Sequence, residues 1–288
     1  MALLLAGLSS LCFGIALVTG RIGLRTLDAR SGAAISIPTA TLLFVMAAPF
    51  ALDLEGFSIA AALWFALVGL FFPALVTLLT FRSNEQLGPT VTSAVSGTAP
   101  LFALLAAALI IGERVPAQAA MAAFAIVAGV GVLSWNPRAL GPGFTGWSFL
   151  WPISGAAVRG LAQAAAKAGL LLWPNAFAAG LIGYLVSSVT VIGVDRLSRR
   201  ERFRPAKAGI AWFALTGVLN GGAVLLMYAA LSMAPVSMVA PVVATYPLVT
   251  ALLSAAVLRE EALTLRVAAG AFITVAGVVY LVASRAVA

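Results

Sequence analysis

Long apolar stretches separated by short polar connections run along the whole chain. Ten of these stretches are mostly apolar and about 20 residues long, the length that crosses a bilayer as a helix. They cover residues 2–20, 32–52, 59–81, 89–111, 116–135, 149–172, 176–194, 208–231, 235–258 and 264–283. The alternation typical of a membrane β-barrel is absent, and lipid offers no partners to exposed backbone groups. The pattern therefore predicts an all-α polytopic membrane protein with ten transmembrane helices.

The second half of the sequence resembles the first. Matching positions are separated by 146 to 148 residues and keep the same order; examples are Gly14 with Gly160, Phe65 with Phe213, Pro100 with Pro247, and Gly129 with Gly277. Each half holds five spans, and an odd number makes the second half enter the membrane from the opposite side. We therefore expect two inverted five-helix repeats, residues 1–135 and 149–288, joined by a linker at 136–148.

The composition excludes several classes of function. Hydrophobic residues make up 62% of the chain, charged residues only 9%, and the mean hydropathy is +1.10. Soluble domains carry about 25% charged residues, so a water-soluble enzyme or a nucleic-acid-binding domain is excluded. The net charge of +8 comes from basic residues that lie mainly between the apolar stretches. We expect the lipid bilayer as the surroundings and no nucleic-acid partner.

Residues suited to catalysis or metal binding are scarce. The chain has no histidine and one cysteine, Cys12, and all nine acidic residues fall in connections or at the ends of spans. Without a histidine, a cysteine cluster or a carboxylate within the membrane, we expect no enzymatic activity, no cofactor and no metal site. The same distribution disfavours exchange of protons for cationic substrates.

Inverted repeats point to transport. Two halves of similar sequence and opposite orientation give inward-open and outward-open arrangements similar free energies, so a central site can face each side in turn. We expect a secondary transporter that exports small amphipathic metabolites by alternating access. The alternatives are a flippase or transporter for lipids or other metabolites, and a non-catalytic membrane scaffold whose duplication only stabilises the bundle.

Three features resemble one family. Each repeat has a proline in its fourth span, an acidic turn after that span, at 112–114 and 259–261, and a glycine-bearing last helix. Together they resemble the EamA repeat of the drug/metabolite transporter superfamily, and most closely its ten-helix amino-acid exporters of the YddG type. The resemblance implies eight helices around a central cavity, with the fifth and tenth helices at the periphery. It also implies a small-molecule substrate, with amino acids, including aromatic and apolar ones, the first candidates.

Arg159 is a charged residue near the middle of the sixth span. An arginine at that depth costs at least about 2.5–3.5 kcal/mol, so a compensating interaction is required. Gln163 and Lys167 follow on the same helix face. Arg159 either binds a substrate carboxylate, with Gln163 as a hydrogen-bonding partner, or contacts backbone carbonyls or snorkels. Its repeat mate is Phe13, so we expect a cavity that is cationic on one side and aromatic on the other. Lys167 and its repeat mate Arg21 are expected to anchor at the membrane edge.

Pro100 and Pro247 are predicted to kink the fourth and ninth spans. Proline removes a backbone hydrogen bond, and such sites are tolerated in membranes where they face protein or a cavity. We expect either a pair of hinges beside the site or two static kinks. Ser96, Thr98 and Tyr246 lie close in sequence and are candidate polar contacts to the substrate.

Small residues cluster at two further places. Asn220 precedes two glycines in the eighth span, where it either faces the cavity or belongs to close helix packing. Small residues at a spacing of four, including Gly129 and Gly270, occur in the fifth and tenth spans. They either seat a dimer or pack within one chain, so we expect a monomer or a weak homodimer.

Basic residues favour one side of the membrane. Twelve of the 17 lie on the side of the connection after the first span, and three lie on the opposite side. Because basic residues favour cytoplasmic connections, we expect an inner (plasma) membrane protein with both termini outside.

Overall fold

The protein is described by a computed structural model that covers residues 1–134, 146–198, 207–258 and 265–286. Within these ranges the chain is helical and contains no strand. The α-helices in chain order are α1 Ala2–Gly23, α2 Ala29–Ala51, α3 Ile59–Phe71, α4 Ala74–Ser96, α5 Ala99–Ile110, α6 Ala117–Ser134, α7 Leu150–Leu172, α8 Ala176–Ser198, α9 Lys207–Met233, α10 Val236–Val243, α11 Tyr246–Leu253 and α12 Leu265–Ala286. Most of the predicted linker 136–148 and the acidic turn at 259–261 lie outside the described residues.

These helices form the ten predicted spans. Seven spans are single helices: α1, α2, α6, α7, α8, α9 and α12. The third span consists of α3 and the first part of α4, the fourth of the rest of α4 and α5, and the ninth of α10 and α11. Single helices such as α2 and α7 have 23 residues, a length of about 34 Å that exceeds the roughly 30 Å hydrocarbon thickness. The prediction of ten membrane-crossing helices is confirmed.

The third span ends later than its hydropathy predicts. We expected it to end at Phe81, but α4 stays helical up to Gly88, whose φ of 76° makes the turn into the fourth span. Part of this polar stretch faces protein rather than lipid, whereas Arg82 and Gln86 are exposed. Asn84 is fully buried, and its Nδ2 donates to the carbonyl oxygen of Leu17 at 3.0 Å.

Contacts between the two halves occur in symmetric pairs. α1 packs on α9, and its repeat counterpart α7 packs on α3 and α4. Gly14 of α1 lies against the backbone of Tyr246 in α11, and Gly160 of α7 lies against the backbone of Ala99 in α5. Gly14 and Gly160 are repeat mates, and so are Tyr246 and Ala99. The same close helix crossing therefore occurs twice. The chain is thus two inverted five-helix repeats that pack across a pseudo-two-fold axis.

The fifth and tenth spans pair with each other. α12 packs mainly on α6, and Gly129 of α6 lies against the side chain of Thr274 and the carbonyl of Gly270 in α12. The small residues identified in these two spans therefore serve packing within the chain. The pair stands at the edge of the bundle, as the family resemblance implies.

Apolar side chains cover the outside of the bundle. Phe272 and Val189 are each 75% exposed, and Phe50 is 93% exposed. A soluble monomer rarely exposes contiguous apolar surface on this scale, whereas lipid requires it. The polar residues instead lie inside the bundle or at its two ends.

Candidate functional site

Arg159 and Phe13 meet at the centre of the bundle. Arg159 is 7% exposed, and its Cζ lies 4.8 Å from the centroid of the Phe13 ring and 5.6 Å from that of Tyr246. Cation–π contacts of this kind contribute about 0.5–2 kcal/mol each. The predicted cationic and aromatic sides of the cavity are therefore in direct contact, with repeat mates from opposite halves facing each other.

Two nitrogen atoms of the Arg159 guanidinium have no polar partner. Its Nε and Nη1 atoms are buried without a hydrogen bond, and no ion pair to it is present in the part of the chain that the structure describes. Of the two structural interpretations made from the sequence, snorkelling requires a solvent-exposed head group. The other, binding of backbone carbonyls, requires hydrogen bonds that Nε and Nη1 do not make. The cation thus contacts two aromatic rings, and its Nε and Nη1 donors are unused.

Other polar groups near Arg159 are also unsatisfied. Buried atoms without a hydrogen-bond partner include Gln163 Oε1 and the hydroxyl groups of Ser96, Tyr184 and Tyr246. The Ser96 and Tyr246 hydroxyls are neighbours, but their geometry is not that of a hydrogen bond. An unpaired buried polar group costs about 1–3 kcal/mol, so native interiors leave few of them. A group of unpaired polar atoms such as this one is typical of a polar binding site.

Two small cavities adjoin Arg159, between α1, α4, α7 and α9. Both are lined by Phe13, Arg159 and Asn220; one also reaches Tyr184, and the other reaches Tyr246. Their volumes are about 30 Å³ and 20 Å³, which is room for one or two water molecules. In this conformation both cavities are therefore too small for a metabolite.

Asn220 and Thr98 differ in their relation to the cavity. Half-buried Asn220 lines both cavities, which favours the cavity-facing interpretation over simple helix packing. Thr98 Oγ1 instead donates to the carbonyl of Val95 at 2.7 Å, and its repeat mate Thr245 donates to Val242 at 2.8 Å. Both threonines thus stabilise the turn at which their span is interrupted.

Pro100 and Pro247 begin helices rather than kinking them, which corrects the prediction. Each is the second residue of a helix, α5 and α11 respectively, where the missing N–H costs little. The preceding helices α4 and α10 end four residues earlier, so each span is broken into two half-helices. Both breaks lie beside the central site: Tyr246 precedes Pro247, and Gly160, next to Arg159, contacts Ala99.

Lys167 and Arg21, which were expected to anchor at the membrane edge, bind the ends of helices. Lys167 Nζ donates to the carbonyls of Leu231 at 2.7 Å and Ala234 at 3.1 Å, at the end of α9. Arg21 Nη1 donates to the carbonyl of Asn84 at 2.9 Å, at the corresponding end of the third span. Cations at helix C-termini satisfy free carbonyls and complement the helix dipole.

Glu113 joins the two repeats at one end of the bundle. Its Oε2 and Oε1 accept from the backbone N–H groups of Val236 and Ser237, each at 2.9 Å. The carboxylate of the first repeat thus caps α10 of the second. The sequence identified this acidic turn as a family feature but gave no sign of the helix it caps.

Ten spans in two inverted halves, with small buried cavities between them, are typical of a membrane transporter. The sequence pattern of the EamA-like transporter family matches residues 1–135 and again residues 146–283, so the chain belongs to this family of small-molecule transporters. A solved structure described as "Crystal structure of protein" has a TM-score of 0.77 and 16% sequence identity over 98% of both chains. At that identity the similarity shows the fold alone. No curated protein matches the chain.

The family match is general with respect to substrate. It gives no evidence for the subgroup of YddG-type amino-acid exporters, which the sequence resemblance favoured. Membership establishes a transporter of small molecules in a membrane. Amino acids as the substrate stay a prediction.

Proposed function

We propose that the protein exports small amphipathic metabolites with a carboxylate, in particular amino acids with apolar or aromatic side chains. The observation that carries the proposal is the buried Arg159 guanidinium, whose Nε and Nη1 atoms have no partner. A carboxylate is the natural complement of these donors, because it accepts two parallel, charge-assisted hydrogen bonds. Ionisable groups within a membrane usually mark a substrate pathway.

The rest of the site fits an apolar zwitterion better than a cation. Phe13 and Tyr246 give the cavity aromatic walls, while Gln163 and Asn220 bring neutral polar groups to the site. No acidic side chain lines either of the two cavities described beside Arg159. A cationic substrate would therefore meet a positive charge without compensation, which disfavours it.

Alternating access through this cavity is the proposed mechanism. The close crossing of α7 with α5 is repeated by α1 with α11, so each half can move on the other through similar contacts. The helix breaks before Pro100 and Pro247 are the proposed hinges, because backbone rotation there disrupts few helical hydrogen bonds. Residues 1–135 and 149–288 would then act as the two moving units.

The proposal includes a location and an assembly state. The proposed location is the inner (plasma) membrane, and the excess of basic residues on one side favours both termini outside. The small residues of α6 and α12, Gly129 and Gly270 among them, pack within the chain. This use of the small-residue faces supports a monomer or a weak homodimer.

Counterflow in proteoliposomes tests the function. Purified protein is reconstituted with unlabelled phenylalanine or threonine inside, and entry of the labelled amino acid is measured for wild type, Arg159→Met and Arg266→Met. Arg266 is exposed on α12 and controls for loss of an arginine elsewhere in the same chain. Removing two charge-assisted hydrogen bonds should lower the exchange rate by about 100-fold in Arg159→Met alone.

Other outcomes would decide against the proposal. Exchange by Arg159→Met at the wild-type rate would remove the role of Arg159. Movement of labelled phospholipid between leaflets without amino-acid exchange would identify a flippase. A wild-type protein that moves neither would favour a scaffold.

A further inference from the structure

Tyr184 brings a hydroxyl group to the central cavity, and the hydropathy pattern did not reveal this residue. It is 1% exposed in α8, and its ring stacks on that of Phe44 with centroids 5.3 Å apart. Its carbonyl accepts a hydrogen bond from Thr41 Oγ1 at 2.9 Å. Both its backbone and its ring are therefore fixed, and the side chain lines the larger cavity together with Arg159.

The Tyr184 hydroxyl has no hydrogen-bond partner. Tyr184 lines the same cavity as Arg159, whose Nε and Nη1 atoms are also unpaired. These groups bring three unused hydrogen-bond donors to one cavity. A bound anion with two oxygens would satisfy them together, and a preorganised set of donors favours such an anion because no reorganisation is needed on binding.

The amino group of a substrate has no comparable partner. Apart from Arg159 and Tyr184, the polar residues that line the larger cavity are Thr77, Thr80 and Asn220, and all three are neutral. The rings of Phe13 and Tyr246, which could hold an ammonium, already contact the guanidinium. A buried ammonium without an opposite charge is costly, whereas a hydroxyl loses much less hydration.

Gln163 supplies a buried and unused amide acceptor near this cluster. Its Oε1 has no partner and lies one helical turn from Arg159. An amide oxygen accepts from an O–H or an N–H group equally well. The group beside the substrate carboxylate can therefore be a hydroxyl as readily as an ammonium.

We propose that the site selects the substrate carboxylate through Arg159 and Tyr184 together and makes no demand for an ammonium group. Apolar 2-hydroxy acids are then substrates alongside amino acids. The inference rests on the proposed function and narrows it to a class defined by one carboxylate and an apolar side chain.

Competition in the counterflow assay tests the selectivity. Entry of labelled phenylalanine is measured with increasing 3-phenyllactate, which replaces the ammonium by a hydroxyl, or phenylalaninamide, which removes the carboxylate. The expected half-inhibitory concentration of 3-phenyllactate lies within threefold of that of phenylalanine, and that of the amide is at least tenfold higher. The reverse ranking would overturn the proposal.

Tyr184→Phe tests the second donor, with Tyr280→Phe as its matched control, because Tyr280 is 42% exposed on α12. Loss of one hydrogen bond to a charged group should raise the KM for phenylalanine and for 3-phenyllactate about tenfold while Vmax stays unchanged. A KM equal to that of Tyr280→Phe would exclude Tyr184 from recognition. If Tyr184→Phe does not fold, the competitor ranking on wild type decides.

Thermal unfolding in detergent separates this inference from the proposed function. A rise in Tm with 3-phenyllactate, present in wild type and absent in Arg159→Met, would support the inference even if no transport were detected; only the proposed function would then fail. Stabilisation by phenylalanine but not by 3-phenyllactate would overturn the inference alone. Stabilisation by neither, with no exchange of either, would overturn both.

Discussion

Gly160 lies next to Arg159 of the central site and at a close contact between the two repeats. The substitution Gly160→Ala therefore tests the site and the packing together. Gly160 follows Arg159 on α7 at the crossing with α5. A Cβ added there would lie 2.6 Å from the Phe102 Cβ and 2.7 Å from the Ala99 carbonyl oxygen. Carbon atoms pack comfortably at about 3.5–4.0 Å, so the helices must separate by roughly 1 Å. Backbone atoms form part of the obstacle and cannot rotate away.

The size of the effect follows from two opposing contributions. Overpacking a tight contact costs about 1–3 kcal/mol. Replacing glycine by alanine within a helix stabilises the fold by about 0.5–1 kcal/mol. The net loss expected for Gly160→Ala is therefore roughly 0.5–2 kcal/mol. Gly14→Ala should lose a similar amount, because its Cβ would lie 2.5 Å from the Val249 Cβ and 2.9 Å from the Tyr246 carbonyl oxygen.

Reversible unfolding by SDS in mixed micelles measures this loss. The control is Gly131→Ala in α6, where an added Cβ meets nothing within 4 Å; this variant should be as stable as wild type or slightly more stable. Displacement of Arg159 should also lower amino-acid exchange by Gly160→Ala. A Gly160→Ala protein as stable as the Gly131 variant would refute the close crossing.

Three further predictions concern the ends, breaks and edge of the bundle. Glu113→Ala should lose about 1 kcal/mol in SDS unfolding through loss of the α10 cap, and an equal loss in exposed Glu55→Ala would contradict this. The double variant Pro100→Ala, Pro247→Ala should lower the Vmax of amino-acid exchange several-fold at constant KM, because the two helix breaks are the proposed hinges. An unchanged Vmax would mean that the breaks do not move during transport. Gly129→Leu should cost about 1–3 kcal/mol without changing the mass in light scattering, whereas conversion of a dimer to a monomer would show an interface between chains.

The spans and their inverted duplication could be predicted because lipid permits few backbone structures and the matched positions keep a nearly constant separation along the chain. The interruptions of the spans could not. The break before Pro100 is a turn at Gly97 and Thr98, and it lies beside the close crossing with Gly160. The helical end of the third span was missed because Asn84 is polar but faces protein.

The site could be predicted only in part, because hydropathy reveals charged residues but not the direction of uncharged side chains. A charge such as Arg159 is conspicuous in an apolar span, and the repeat offset pointed to Phe13 as its mate. Tyr184 carries no charge, and its direction depends on how α8 packs against Phe44, which hydropathy does not report. The hydroxyl of Thr98 was assigned to the cavity, although a threonine can bond its own turn instead.

Access to the central cavity from both faces is the claim that most needs a direct measurement. The chain's one cysteine, Cys12, is replaced by serine and Asn220, which lines both cavities, by cysteine. A membrane-impermeant thiol reagent is then added to one face at a time of oriented proteoliposomes. The account predicts labelling from either face, slowed by saturating phenylalanine in both cases. Labelling from one face only would contradict it.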